Sequence, residues 1–249
     1  MKAVCVTIEY LRRKILVVGI LSAVVSSGLA QQNYFVATNG SDGASGTSWT
    51  AAFRTISNAV AKATGSDTVW ISNGTFLVTA QITVNKGITV RSTNGAAATR
   101  VARNGSAGDF RVFSVSNAAA VLDGVTVTNG NLPNGGQGAG IYLAAGTVRR
   151  CRVTWNRTWG NANVSSYGSG IYMKGGLVED CVISSNWTGA ASGYGGIGYG
   201  GGIYMTGGTV SRCVVVSNTV RSSTSWHDGR GGGIYMTGGT VQNSVIFRN

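Results

Sequence analysis

The sequence predicts an all-β fold, a single-stranded right-handed parallel β-helix with a short N-terminal capping helix. The first observation is a letter-for-letter repeat, because GGGIYMTGGTV occurs at 200–210 and again at 231–241. The second is that two related stretches, GSGIYMKGGLV and GAGIYLAAGTV, precede it at 168–178 and 138–148. The third is the composition, since 39 glycines and one proline beside many Val, Ile, Thr and Asn residues are typical of short strands joined by tight turns.

Each repeat contains two strand-length segments separated by glycines. The first alternates apolar and aromatic residues and the second has apolar residues at alternate positions, so neither has the helical period. Two such strands cannot bury their inner face alone, whereas stacked coils pair at about 4.8 Å and enclose a continuous core. Equivalent places in successive coils are expected for Ile141, Ile171, Ile203 and Ile234.

Three regions are predicted along the chain. Residues 1–30 have the pattern of a secretory signal peptide, with basic residues, an apolar run too short to span a bilayer, and small residues before the cleavage point. Residues 31–66 are predicted to be an N-terminal cap segment, and residues 67–249 to be the coils. Because the chain stops on the last residue of a coil, a missing C-terminal region or another chain is expected at the open edge.

A short amphipathic helix is predicted over 51–63, where it would cover the first coil. Its apolar face would consist of Phe53, Ile56, Val60 and Ala63. After it, the strand-like runs within 67–95 and the degenerate repeat at 112–130 extend the solenoid upstream. The total is six or seven coils.

Two N-terminal stretches carry a resemblance to a known superfamily. YFVATNGSDGASGTSWTAAFRTISNAVAKA, followed by DTVWISNGTFLV, resembles the N-terminal signature of secreted bacterial proteins of the pectin-lyase-like superfamily. The GGGIYM and GGTV units resemble the glycine-rich repeats of bacterial surface proteins, including the polymorphic outer-membrane type. The resemblance implies a right-handed parallel β-helix over nearly all of the mature chain. It does not imply one activity, since the superfamily includes pectate lyases, polygalacturonases, adhesins and passenger domains.

The predicted mature chain is basic. The leader removes four of the 20 Lys and Arg residues and one of the eight Asp and Glu residues, which leaves 16 against 7. In a secreted protein this charge favours acidic polysaccharides or other cell-surface polymers as partners, and no nucleic-acid motif is present. The alternative interpretation is a basic surface that serves only solubility.

The carboxylates of the repeats have a structural interpretation. Two outward columns are expected, the first Asp123, Arg149, Glu179, Ser211 and Gln242, the second Gly124, Arg150, Asp180, Arg212 and Asn243. Charge alternates between coils, which places opposite charges side by side. Asp123 and Glu179 would lie about 9.6 Å apart with Arg149 between them, which does not favour a glycosidase pair. Glu179 and Arg149 are therefore weak catalytic candidates.

A second weak catalytic candidate is the loop SWHDGRGGG at 225–233. It contains His227, Asp228 and Arg230, a combination that could transfer protons. A solvated loop is the favoured interpretation, because no neighbouring coil supplies a second group. No metal site and no cofactor are predicted, and calcium enters only under the alternative of a lyase.

Two further columns are predicted to be structural. Cys151, Cys181 and Cys213 align in the core, where stacked residues are too far apart for easy disulfide formation, so they are interpreted as buried small hydrophobes. The second column, at the turn after a strand, consists of Asn156, Asn186, Asn218 and Asn249. Stacked amides there can bond one another and the turn backbone.

Aromatic residues are the predicted ligand-binding set. An outward column is expected from Tyr142, Tyr172, Tyr204 and Tyr235, and the inter-coil segments contain Trp159, Tyr167, Trp187, Tyr194, Tyr199 and Trp226. Solenoid insertions on one side often form the binding face, and sugar rings stack on such aromatics. The alternative is that tyrosine stacking only stabilises the rod and that the segments are filler.

The sequence therefore predicts a secreted or cell-surface β-helix repeat protein that binds polysaccharide or another surface without catalysis, in the manner of an adhesin. The competing class is a polysaccharide lyase or glycoside hydrolase. Carboxylates gathered within one or two coils would favour the enzyme, whereas an uninterrupted ladder with aromatic segments favours binding. No transmembrane span is predicted in the mature chain.

Overall fold

A computed structural model describes residues 30–160, 164–190, 196–221 and 229–249. The predicted signal peptide lies outside these residues. In the described part of the chain, no helix is long and apolar enough to cross a membrane.

Three long parallel sheets run the length of the molecule. Sheet 1 consists of β1 (Asn33–Val36), β2 (Thr68–Ile71), β5 (Thr89–Ser92), β8 (Val121–Asp123), β12 (Thr147–Arg149), β17 (Leu177–Glu179), β22 (Thr209–Ser211) and β26 (Thr240–Gln242). Sheet 2 consists of β3 (Gly74–Val78), β6 (Thr99–Arg103), β9 (Thr126–Thr128), β13 (Arg152–Thr154), β18 (Val182–Ser184), β23 (Val214–Val216) and β27 (Val245–Phe247). Sheet 3 consists of β4 (Ile82–Val84), β7 (Phe113–Val115), β11 (Ile141–Leu143), β16 (Ile171–Met173), β21 (Ile203–Met205) and β25 (Ile234–Met236).

Two smaller sheets lie between sheets 2 and 3 in chain order. Sheet 4 consists of β10 (Asn131–Leu132), β14 (Arg157–Gly160), β19 (Trp187–Ala190) and β24 (Thr219–Arg221). A two-stranded sheet consists of β15 (Ser166–Tyr167) and β20 (Gly198–Tyr199). These short strands belong to the inter-coil segments, which therefore continue the parallel pairing between coils before and after their central part.

Every strand pair is parallel and joins one coil to the next, which makes the protein a parallel β-solenoid as predicted. Ile141 pairs with Ile171, Ile171 with Ile203, and Ile203 with Ile234, so the repeats occupy equivalent places in successive coils. The strand order is consistent with right-handed winding, the rule for parallel crossovers.

The core is a stack of inward side chains from sheets 1, 2 and 3. Residues exposed by 1% or less include Val148, Cys151, Val153, Ile171, Met173, Val178, Cys181, Ile183, Ile203 and Cys213. All three described cysteines are free and buried, as predicted. Burial raises the pKa of the Cys181 thiol well above its ordinary value, so it remains a neutral core residue.

The helix is shorter than predicted, since α1 spans Ile56–Lys62. The Thr55 side chain caps it by accepting from the Asn58 amide, while a carboxylate oxygen of Asp42 accepts from the amides of Arg54 and Thr55 at 3.0 and 2.9 Å. These bonds hold the preceding residues outside the helix.

Phe53 is accordingly not on the helix, although it is buried as predicted. It forms a parallel bridge with Val36 and is 3% exposed. The remaining members of the predicted face, Ile56, Val60 and Ala63, are buried in the core cluster at the N-terminal end of the solenoid. A short 3-10 turn at Gly105–Ala107 is the second helical feature of the described chain.

Candidate functional site

A ladder of buried asparagines forms the turn between sheets 2 and 4. The Asn156 side-chain amide donates to Oδ1 of Asn186 at 3.0 Å, and Asn186 donates to Asn218 at 2.9 Å. Asn218 continues to Asn249, also at 2.9 Å. Asn186 also donates to the Val153 carbonyl oxygen at 2.9 Å. The predicted stacking of these amides is confirmed, and it fixes the backbone of the residue before each asparagine.

The residue before Asn156 is Trp155, which the sequence analysis did not single out. Its backbone lies in the left-handed region with φ 56°, and its side chain is 70% exposed. Equivalent turn positions in other coils have the same backbone conformation, and none of them is aromatic, since they are Asn129, Ser185, Ser217 and Arg248. A bulky residue there is uncommon and costs about 1 kcal/mol. Neither conformational preference nor burial explains this indole, which makes it a candidate for ligand contact.

Trp155 stands between two adjoining depressions on the surface. Both are lined by Trp155, Arg157, Ser185 and Trp187. Arg103 closes the first depression at its N-terminal end. We call this surface the Trp–Arg groove and define it by Trp155, Trp187, Arg103, Arg157 and Arg221, the last of which lines the second depression.

The geometry of the groove follows from sheet 4. Arg157 pairs in register with Trp187, so their side chains leave the same face in neighbouring coils. Arg221 lies one coil further on, opposite Gly189. The register column that contains Arg157 is Asn131, Arg157, Trp187 and Thr219, so one cationic and one aromatic side chain are neighbours along the solenoid axis, at a step of about 4.8 Å.

The groove is electropositive. No Asp or Glu is among the residues that line the two depressions. Arg157 is exposed, and its Nε donates to Oδ1 of Asn131 at 2.8 Å, which orients the guanidinium without neutralising it. Arg103 is 8% exposed and lies 3.6 Å from the Asp109 carboxylate, so its charge is partly offset.

Trp187 and Trp159 are both partly buried, and they differ in position. Trp187 lines both depressions, whereas Trp159 lines neither. The indole nitrogens of both are buried and have no hydrogen-bond partner among the described residues. Of these two predicted binding residues, the structure therefore brings only Trp187 into the groove.

The predicted tyrosine column forms on the outer face of sheet 3. Ring centroids of Tyr142 and Tyr172 are 5.4 Å apart, those of Tyr172 and Tyr204 5.2 Å, and those of Tyr204 and Tyr235 5.5 Å, with interplanar angles of 7–13°. The rings stack on one another, so the faces that a sugar would use are already covered. Burial, with the neighbouring tyrosines, raises the pKa of Tyr172 above its ordinary value.

A second row of tyrosines covers the first. The Tyr167 ring stacks on that of Tyr199 at 5.3 Å and packs edge-on against Tyr204 at 5.0 Å. As a result Tyr172 is only 9% exposed. The outward tyrosine column is therefore present as predicted, but the inter-coil segments fold back on it and bury Tyr172.

The charge columns align as predicted, but their side chains pair differently. Asp123 is only 2% exposed, because the guanidiniums of Arg91, Arg149 and Arg150 cover it. Arg149 donates to Asp123 through Nε at 3.2 Å. Glu179, its register partner in the next coil, is instead paired with Arg212 at 2.7 Å. Arg212 also bonds Asp180 and thereby holds the pKa of that carboxyl below its ordinary value.

The remaining catalytic candidate within the described residues is Arg230. Its guanidinium lies 5.9 Å from the ring centroid of Tyr199, a cation–π contact, and its backbone pairs with the same residue. The other residues predicted to be functional in this loop and in the preceding inter-coil segment lie outside the described residues. They are Tyr194, Trp226, His227 and Asp228. Where the chain is described, no group of three or more His, Cys, Asp or Glu side chains has metal-binding geometry.

Comparison with known proteins bears on the fold. No protein-family model and no curated protein sequence matches the chain. Among solved structures, a rhamnogalacturonan lyase is similar at 14% identity and TM-score 0.46, with 88% of this chain and 69% of that chain covered. A pectate lyase is similar at 17% identity and TM-score 0.48, with 86% and 62% covered. A pectin methylesterase from Aspergillus niger is similar at 12% identity and TM-score 0.39, with 86% and 85% covered.

The chain thus spans less than two thirds of the pectate lyase. At these identities and TM-scores, the likenesses do not assign an activity to it.

Proposed function

We propose that this protein is a secreted polysaccharide-binding solenoid without catalytic activity, and that the Trp–Arg groove is its binding site. The observation that carries the proposal is Trp155, an indole held 70% exposed in a left-handed turn beside Arg157 and Trp187. Indole faces stack on sugar rings, and the guanidiniums favour polymers with acidic groups.

The groove suits a polymer better than a small ligand. It is open and follows the solenoid axis, along which one set of positions recurs from coil to coil. A chain lying along the axis would meet Arg103, then Trp155 and Arg157, then Trp187, then Arg221. Successive sugar units would therefore each meet a cationic or an aromatic side chain.

Secretion is part of the proposal and rests on the pattern of residues 1–30. The basic flank, short apolar run and small residues are those of a signal peptide. The proposed binding needs no cofactor, since Trp and Arg side chains supply both the stacking and the charge.

A polysaccharide lyase or glycoside hydrolase is the competing class. In most glycoside hydrolases one carboxyl group must be held protonated near a second one. Asp123 and Glu179 are instead each paired with an arginine, Arg149 at 3.2 Å and Arg212 at 2.7 Å. This pairing supports a structural role for the repeat carboxylates.

The test is co-sedimentation of the secreted chain with insoluble polysaccharides, both acidic and neutral, together with an assay for new reducing or unsaturated ends in the same tubes. We expect binding without new ends. Trp155→Ala should weaken binding by about tenfold, equivalent to about 1.4 kcal/mol, because one exposed stacking contact is lost. Trp187→Ala should have an effect in the same direction.

Trp49→Ala is the matched control, since Trp49 is 45% exposed but lies in the N-terminal segment, packed on Phe35. Its binding should equal that of the wild type. Unchanged binding by Trp155→Ala would refute the groove as the site, and the appearance of new ends would refute the non-catalytic function.

A further inference from the structure

A cluster of arginines surrounds one buried carboxylate on sheet 1, away from the Trp–Arg groove. Asp123 pairs in register with Arg91 on one side and Arg149 on the other. The guanidiniums of Arg91 and Arg149 lie 3.8 and 3.2 Å from the same oxygen, Oδ2, and Arg150 bonds both carboxylate oxygens. Three cations thus converge on one anion that is 2% exposed.

Arg91 has no hydrogen-bond acceptor within the part of the chain that the structure describes. Its Nε is buried and unpartnered, and its contact with Asp123 at 3.8 Å is too long for a hydrogen bond. The guanidinium is held by stacking on Trp70, 4.6 Å from the ring centroid. Buried donors in folded proteins mostly have a hydrogen-bond partner, so an unpartnered one needs an explanation such as a bound ion.

Positive charge is in excess around Asp123. One carboxylate faces three guanidiniums, whereas further along the solenoid Arg212 alone faces both Glu179 and Asp180. Arg150 also interacts electrostatically with Asp180. The positive charges of Arg91 and Arg149 are therefore the least compensated by carboxylates. Both side chains are about one third exposed, at 35% and 34%, so part of each side chain reaches solvent although Nε of Arg91 is buried.

We propose that Arg91, Arg149 and Arg150 form a binding site for a tetrahedral oxyanion, the phosphate or sulfate group of an extracellular ligand. Asp123 positions the three guanidiniums close to one another, and most of their N–H groups remain without an acceptor in the described protein. Phosphate and sulfate have more acceptor oxygens than a carboxylate, and these oxygens match donors that approach from different coils. The oxyanion would accept from the terminal NH2 groups of Arg91, which make no hydrogen bond within the described protein, and not from Nε, which is buried.

The test is thermal unfolding and calorimetric titration with inorganic phosphate and with inorganic sulfate, each against sodium chloride at equal ionic strength. A ligand that binds the folded state raises the unfolding temperature in a saturable way. We expect this with the oxyanions and not with chloride. Arg91→Gln should weaken the apparent affinity at least tenfold, and it breaks no hydrogen bond among the described residues, so the variant should fold.

Glucose 6-phosphate and glucose form the second arm of the experiment. Binding of the sugar phosphate at least as tight as that of inorganic phosphate indicates an ester-borne group, and preference for the inorganic ion indicates a free one. Arg212→Gln is the control, since it removes an arginine of the same ladder outside the cluster and should leave oxyanion affinity unchanged. Equal affinity of wild type and Arg91→Gln, or equal stabilisation by chloride, would overturn the proposal.

Discussion

At the scale of single residues, the asparagine ladder shows how one side chain can fix a turn. Asn186 is 1% exposed and is a donor and an acceptor at the same time. Its Oδ1 accepts from both the amide and the side chain of Asn156 at 3.0 Å, while its Nδ2 donates to Asn218 and to Val153. No smaller side chain satisfies all these groups.

Asn186→Ala should therefore lower the free energy of unfolding by about 3 kcal/mol, because it leaves several buried polar groups without partners. Urea or thermal denaturation monitored by circular dichroism measures the change. Asn94→Ala is the control, as Asn94 is exposed and bonds only Asn73, and it should change stability by less than about 0.5 kcal/mol. A similar effect of the two substitutions would contradict a structural role for the ladder.

At the scale of elements, the short strands gain stability from stacking across coils. Four of the six strands of sheet 3, namely β11, β16, β21 and β25, present one tyrosine outward, and the parallel register places these rings face to face at 5.2–5.5 Å. Such contacts contribute about 0.5–1.5 kcal/mol each beyond the burial of area. Tyr172 has a stacked neighbour on both sides and an edge contact with Tyr167 at 6.5 Å.

Tyr172→Ala should lower the free energy of unfolding by about 3 kcal/mol, since it removes a nearly buried ring and two stacking contacts. Tyr172→Phe keeps the ring and should be within about 0.5 kcal/mol of the wild type, because no hydrogen bond of this hydroxyl is present among the described residues. The measurement is equilibrium denaturation. If alanine were tolerated as well as phenylalanine, stacking would not stabilise the solenoid.

At the scale of the whole molecule, the chain has 20 Lys and Arg residues but only eight Asp and Glu residues. A carboxylate with a structural role is therefore expected to affect stability at low pH. Asp67 lies at the start of β2 and ties the first coil to the segment before it. Burial raises the pKa of Asp67, but hydrogen bonds from the Thr64 and Gln32 amides, at 2.7 and 2.8 Å, lower it below its ordinary value overall.

A lowered carboxyl pKa gives stability that is present above the ordinary value, about 3.9, and is lost as the pH falls through the folded value. Asp67→Asn should therefore lower the free energy of unfolding by about 1–2 kcal/mol at pH 7, as a charge-assisted bond is lost. The difference from the wild type should shrink below about pH 4. Denaturation at several pH values tests this, and a difference that stays constant with pH would contradict it.

The sequence by itself determined the solenoid, its register and its core. Letter-for-letter repeats at near-constant spacing require equivalent places in successive coils, because parallel pairing matches each residue with its counterpart one repeat away. The asparagine ladder and the buried free cysteines followed from the same alignment. The bounds of the helix did not follow from the sequence, because they depend on Asp42, which is distant in sequence and accepts hydrogen bonds from the amides of Arg54 and Thr55.

Only the tertiary structure decided which aromatic and charged side chains remain available to a ligand. Alternation in the sequence places the tyrosines outward, but it does not reveal that Tyr167 and Tyr199 fold back and cover them. Trp155 could have been noticed as the one aromatic in a column of turn residues that otherwise consists of Asn129, Ser185, Ser217 and Arg248. Its exposure, and the convergence of Arg91 and Arg149 on a buried Asp123, depend on how side chains from different coils meet in space.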